Sequence, residues 1–329
     1  MLCERLLANA ENIQRAARII NQGGLVAFPT ETVYGLGANG LSESSIRRVF
    51  EAKGRPAYNP LIEHVASIQQ ARELFVLSAE QERLFWDLAK RYWPGPLTLV
   101  APKSEFVPSL ATGGLDRVAV RVPAHPVALE LLRQVGGPVV APSANRSQRP
   151  SSTTADHVLL TLGEHIDAVL DAGPCLFGLE STVLDISQNP PRILRLGALK
   201  LSDYAFDLAK GSQGSPGRMD KHYAPLISEM RIVASAELQN AALDTALLVY
   251  SEAEYRGRLV ERLPSDPEGY AHGLFAALYR LESQKPSTLW IEAPPQAPPW
   301  ASIWDRLRRA VQDVEISIAS QSSINLILS

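Results

Sequence analysis

Lys53 and Arg55 stand two residues apart, where a helix-like segment gives way to "KGRPAYNP". Two cations at that spacing suit an oligophosphate, whose transfer depends on positioning and charge stabilisation. The plainer reading of the pair alone is a solvated helix end favoured by the macrodipole. Arg121 interrupts the alternating run "VAVRV". On an inward face its planar fork needs an anion, and a bound carboxylate and a structural salt bridge weigh about equally. "APSAN" puts Ser143 and Asn145 in a turn after a strand, where they meet an oxyanion or simply close the turn. Asn59 precedes Pro60 and either fixes its loop or touches ligand; His64, after "LIE", reads most simply as a satisfied strand histidine.

Other chemistries lack their residues. No H-E-x-x-H pattern occurs among six histidines, Cys3 and Cys175 form no close pair, and no nucleophile triad is evident. The cysteines read as free thiols of a reducing cytosol. "GLGANG" at 35–40 matches G-x-G-x-x-G, but Pro29 and "TETVY" separate it from the preceding apolar run. Its ribose-binding acid is also missing: Glu63, near the right distance, follows loop chemistry. Tight turns between strand and helix are the favoured reading, with backbone approach to a ligand as another.

The elements that would position these residues follow from periodicity. Residues 9–22 predict an amphipathic helix capped by Asn9 and ended by Gly23–Gly24. Further helices are predicted over 42–54, with Ser42 as cap and Gly54 as stop, over 78–92, and over 126–135. Strands are predicted at 25–28, 96–101, 118–122, "PVVAPSA", 168–173, 181–186 and 192–197. The mixture without strict alternation implies a mixed sheet with packed helices. "GSQGSPG" at 211–217 reads as a linker. Beyond it, "RIVA", "ALLVY" and "STLWIEA" alternate with two helical patterns, which predicts a small three-layer α/β domain at 228–329.

Composition narrows the class. The chain has 329 residues, 46% hydrophobic and 20% charged, with a net charge of −3. That suits two globular domains rather than a disordered chain. Glu4 and Arg5 break the only apolar stretch near the start, so no export signal is expected, and no apolar run approaches a membrane span. Residues 1–205 carry 20 basic and 20 acidic side chains, and 206–329 carry 12 and 15. Neither half has the basic excess of a nucleic-acid binder. Arg117, Arg121, Arg133, Arg146 and Arg149 nevertheless cluster against the single acid Glu130, either as a solvated face or as a site for a small polyanion.

The ordered segments "PTETVYGLG", "KGRPAYNPL", "RVAVRVPAHP", "APSANRSQRPSSTTA", "ESTVLDI", "RILRLGAL" and "SPGRMDKHYAP" closely resemble the YrdC-like threonylcarbamoyl-AMP synthase family in its long, two-domain form. The resemblance implies a twisted mixed-sheet α/β catalytic domain at 1–205, a linker at 206–227, and a smaller Rossmann-like three-layer α/β domain at 228–329. It implies a cytoplasmic nucleotidyltransferase joining L-threonine, bicarbonate or CO2, and ATP into threonylcarbamoyl-AMP and pyrophosphate. Mg²⁺ would come with ATP rather than from a protein metal site. The product would pass to a tRNA-modifying transfer complex, with weak or no direct tRNA binding and no membrane.

Carried over residue by residue, the resemblance assigns ATP contacts to Lys53, Arg55, Asn59, Ser143, Asn145, Ser151, Arg195 and Tyr223. Lys53 and Arg55 take the catalytic charge-stabilising role. Thr32, His64, Arg121, Ala141 and Ser181 would contact threonine. Tyr223, beyond the glycine-rich linker, would cover the nucleotide or else anchor the linker. Departures from the pattern are Arg117 for threonine, Glu63 for a small apolar residue, Gln148 for glycine, Ser152 for proline, Leu196 for proline, and "RMDK" for a more basic, aromatic linker segment. Two alternatives are an RNA-binding module, against which the charge balance argues, and a carbamoyl-transferring relative using carbamoyl phosphate.

Overall fold

The computed structural model describes residues 3–201, 207–208, 222–255 and 258–311. The linker centre expected at 211–217 lies outside them. The chain divides into two compact units, Met1–Ser147 with Ser151–Arg218, and Gln148–Pro150 with Met219–Ser329.

The first unit runs β1 (Glu4–Leu7), α1 (Ala10–Asn21), β2 (Val26–Phe28), β3 (Gly35–Asn39), α2 (Glu43–Lys53), β4 (Ile62–His64), α3 (Ile68–Glu73), α4 (Ala79–Tyr92), β5 (Leu97–Pro102) and β6 (Arg117–Arg121). It continues through α5 (Pro126–Val135), β7 (Val139–Val140), α6 (Ala155–Leu162), β8 (Ala168–Asp171), β9 (Thr182–Asp185), β10 (Arg192–Arg195) and β11 (Asp207–Leu208). The strands form one mixed sheet in the order β1-β8-β2-β3-β7-β4-β6-β5-β9-β10-β11.

Local signals set the helix ends. Asn9, Ser42 and Ser78 accept hydrogen bonds from backbone amides in the first turns of α1, α2 and α4. Each such cap is worth about 1 kcal/mol. Gly54 stops α2 in the left-handed conformation, at φ 59°. The apolar stripe Ile13, Ala16, Ala17 and Ile20 of α1 joins Ala128, Leu131 and Leu132 of α5 over one end of the sheet. On the opposite sheet face, α2, α4 and α6 bury Ile46, Val49, Phe85, Leu88, Val158 and Leu162 in the main core. At roughly 1.5–3 kcal/mol per large buried side chain, these layers dominate the unit's stability.

Alternation along the strands then segregates chemistry. Leu97, Leu99, Val118, Val120 and Leu184 point into the main core. Their neighbours on the other face include only a small apolar cluster, Ile62, Val100, Ala119, Val183 and Leu194. The same parity puts His64, Thr98, Arg117, Arg121, Ser181 and Asp185 on that face.

"GLGANG" departs from the expected turns, since Gly35–Asn39 is strand β3, antiparallel to β2 and β7. Its glycines serve close packing: a Cβ on Gly37 would stand 2.8 Å from the Phe28 ring. The "PVVAPSA" strand shrinks to Val139–Val140, and beyond Pro142, which has no amide to donate, the chain returns to β3 only as an isolated bridge between Ser143 and Gly35. β1, α3 and α6 lie where the sequence pattern is too weak to predict an element.

The second unit contains a parallel sheet of order β12-β15-β13-β14, with β12 (Glu229–Val233), β13 (Ala246–Val249), β14 (Val260–Arg262) and β15 (Thr288–Glu292). α7 (Pro267–Ser283) precedes β15 and α8 (Ala301–Ala310) follows it. Glu292, fully buried, accepts from Ser235 Oγ and from the amides of Tyr250 and Ser251, tying three strand ends together. Among the described residues no helix is long and apolar enough to cross a membrane.

Candidate active site

The turn after β2 shapes one side of the site. Thr30 Oγ1 donates to the Val33 carbonyl at 2.7 Å and accepts from the Thr32 and Val33 amides. This closed turn leaves Thr32 Oγ1 2.8 Å from Thr30 Oγ1 and 2.8 Å from Arg121 Nη1. Arg121 also donates from Nε to the Gly95 carbonyl at 3.2 Å, and its Nη2 lies 2.6 Å from Glu31 Oε1. Arg121 is therefore buried, inward and ion-paired, as strand alternation implied.

His64 is the register partner of Arg121 across β4 and β6. Its Nδ1 meets the Ile62 carbonyl at 3.1 Å, and its ring stands edge-on to Phe28. Burial, reinforced by the Arg121 charge, pulls its pKa down to about 3, so the imidazole is neutral. Ala141 lies beside it, with its amide donating to the Ile62 carbonyl.

Ser181 precedes β9. Its Oγ is 2.8 Å from Thr98 Oγ1, and Arg195 donates to both its carbonyl, at 3.1 Å, and its hydroxyl, at 3.0 Å. Simple alternation would send Arg195 away from the face that holds Leu194. A register shift between Ile193 and Arg195 turns it back. Gly197 permits this closeness, since a Cβ there would sit 2.3 Å from the Ser181 carbonyl carbon.

Lys53, at the end of α2, is 2% exposed and donates to the carbonyls of Ser143 and Asn145. Its ammonium thus ties down the "APSAN" turn. Burial, with Arg55 nearby, holds its pKa well below the usual lysine range. Arg55 folds back on its own loop, donating from Nη2 to Asn59 Oδ1 at 2.6 Å and to the Pro60 carbonyl at 2.9 Å. Asn145 Nδ2 donates to the Arg146 carbonyl, and the buried Ser151 hydroxyl donates to Glu180.

Thr32, His64, Arg121, Ala141 and Ser181 are thus joined through the same sheet face and its loops. Lys53, Ser143 and Asn145 form a second direct set, Arg55 pairs with Asn59, and Arg195 bonds to Ser181. Tyr223 belongs to the second unit. There its ring stacks on Phe275 at 5.4 Å, with the Arg306 guanidinium 5.6 Å from its centroid.

Residue-by-residue reading overlooked Glu31, Thr98 and Glu180. The only local hint for Glu31 was an acid between two threonines after a buried strand. Of the departures, Arg117 pairs with the buried Asp185 at 2.6 Å, and Ser152 Oγ donates to the Ala144 carbonyl. Gln148 adopts φ 70°, the left-handed region that favours glycine.

A profile for the Sua5/YciO/YrdC family, described as telomere recombination, matches residues 18–197. A second, described as threonylcarbamoyl-AMP synthase, C-terminal domain, matches residues 182–311. Over 320 residues the chain is 39% identical to the threonylcarbamoyl-AMP synthase of Pyrococcus abyssi, covering 91% of this chain and 93% of that one. It is 42% identical over 234 residues to the Bacillus subtilis protein of the same name, covering 68% and 67%. The crystal structure of P. abyssi Sua5 complexed with L-threonine matches with a TM-score of 0.86 and 36% identity, covering 95% of this chain and 98% of that one.

Proposed function

The chain belongs to the Sua5/YciO/YrdC family, and from that membership we propose that it is a threonylcarbamoyl-AMP synthase. It condenses L-threonine, bicarbonate or CO2, and ATP into threonylcarbamoyl-AMP and pyrophosphate. The observation that carries this reading is Ser181. Its hydroxyl meets Thr98 on the sheet face of Arg121 and His64, while Arg195 donates to it from the nucleotide set. A residue shared by the two sets supports an amino acid and a triphosphate meeting in one site.

In this reading Arg121 holds the threonine carboxylate, with Thr32, Ala141, Ser181 and a neutral His64 around the remainder. Arg55, Asn59, Ser143, Asn145, Ser151 and Arg195 receive ATP together with Lys53, which also braces the Ser143–Asn145 turn. Threonine's amine becomes a carbamate, whose oxygen attacks the α-phosphate. Pyrophosphate leaves with basic side chains stabilising its charge, to which Mg²⁺ brought in with ATP would add. No covalent enzyme intermediate is needed, and much of the rate comes from holding the reactants together. Tyr223 is the remaining ATP contact in this reading. The product goes to a tRNA threonylcarbamoyl-transfer complex in the cytoplasm.

Incubation with ATP, threonine and labelled bicarbonate tests the proposal by the appearance of a labelled adenylate. Arg55→Ala and Arg121→Ala are expected to nearly abolish threonine-dependent pyrophosphate release. Full turnover in both would remove their assigned roles.

A further inference from the structure

Glu31 and Arg121 are both buried, with side chains 5% and 4% exposed, and their charged groups touch. Yet the contact is misaligned. Neither Glu31 oxygen accepts a hydrogen bond, and Arg121 Nη2 makes none, among the described residues. Arg121's other donors are directed at Thr32 and Gly95. Burying such groups unsatisfied is costly, and it leaves one acceptor and one donor side by side. That pair is the complement of an amino-acid zwitterion, whose carboxylate needs the guanidinium and whose ammonium needs the carboxylate.

We propose that Glu31 receives the ammonium of the amino-acid substrate bound at Arg121 and takes its proton, so that the amine can attack bicarbonate. The inference rests on the reading of Arg121 as the carboxylate-binding residue. One ammonium proton passes to a Glu31 oxygen. The freed nitrogen lone pair forms the N–C bond to bicarbonate, the C–OH bond breaks, and hydroxide leaves with a second nitrogen proton as water. The carbamate remains, and Glu31 returns its proton to solvent. The other titratable groups facing Glu31 do not replace it. The thiol of Cys175 is kept protonated by burial, and His125, the N-cap of α5, has its pKa lowered by burial against the opposing pull of Glu31.

The test uses the full chain and compares Glu31→Gln and Glu31→Asp with the parent. Calorimetric titration with threonine alone reads binding. Pyrophosphate release with ATP, threonine and bicarbonate from pH 6.5 to 9.5 reads turnover. Glu31→Gln is expected to keep threonine affinity within about tenfold but lose at least about 100-fold in turnover at pH 7. Its rate should then climb about tenfold per pH unit as free amine accumulates. Glu31→Asp keeps the parent's profile shape at a lower rate. Turnover of Glu31→Gln within about threefold of the parent at pH 7, or a loss equal at every pH, overturns the proposal. If Glu31→Gln does not fold, the Asp profile decides, and a steep climb with pH there overturns it. Failure of the parent to bind threonine is a separate result that removes the site reading and this inference together.

Discussion

Glu63 and His64, adjacent on β4, point to opposite faces of the sheet, and burial neutralises both. His64 lies on the polar face beside Arg121, while Glu63 pairs in register with Val120 and Val140 of the main core. Its carboxyl packs so tightly on Gly40 that a Cβ there would stand 2.2 Å from Oε2. Two ionisable residues in one three-residue strand therefore give stability opposite pH dependences.

For Glu63, desolvation pushes the pKa up from 4.5 to about 8. The folded state holds the proton across that window, so the stabilisation is complete below about 4.5 and is lost as pH rises through about 8. Denaturant titrations of the parent and Glu63→Gln should diverge between pH 5 and pH 8.5, by on the order of a few kcal/mol in favour of the variant at the alkaline end. An equal pH slope in both proteins would place the dependence elsewhere.

His64 has the reverse sign. Its folded pKa of about 3 lies below the ordinary 6.5, so the unfolded chain binds the extra proton in between. Its contribution is present above about 6.5 and is lost as pH falls toward about 3. His64→Gln should flatten the acid limb of the stability curve. Persistence of the full acid limb in that variant would exonerate His64.

Gln148 holds a left-handed backbone at φ 70° where the related pattern has glycine. Relief of roughly 1 kcal/mol of αL strain in Gln148→Gly is offset by the glycine entropy cost of about 0.5–1 kcal/mol, so that change should be nearly neutral. Gln148→Val should cost about 1–2 kcal/mol, because a branched Cβ suits this region worst. Thermal denaturation of both variants is the check, and equal melting temperatures would contradict the expectation.

Arg117 occupies a position where the related pattern has threonine, and it neutralises Asp185, which is 1% exposed. Asp185 also accepts from the amide and hydroxyl of Ser187. Arg117→Thr should cost about 1–3 kcal/mol by leaving that carboxylate without its cation, and adding Asp185→Asn should restore part of the loss. A double-mutant cycle with no coupling would show the pair to be energetically idle.

The sequence by itself determined what acts over a turn or two of chain. Caps at Asn9, Ser42 and Ser78 and the stop at Gly54 lie within four residues of the groups they satisfy, so α1, α2 and α4 were legible. The alternation of "VAVRV" likewise showed Arg121 facing opposite to Val118 and Val120. Tertiary structure decided what that face meets. Glu31 and Thr32 reach Arg121 across some ninety residues, and "GLGANG" became a strand by pairing with β2 and with the distant β7. A one-residue register shift aimed Arg195 at Ser181 against simple alternation. Register, bulges and close packing depend on partners distant in the chain, and no local propensity encodes which partner arrives.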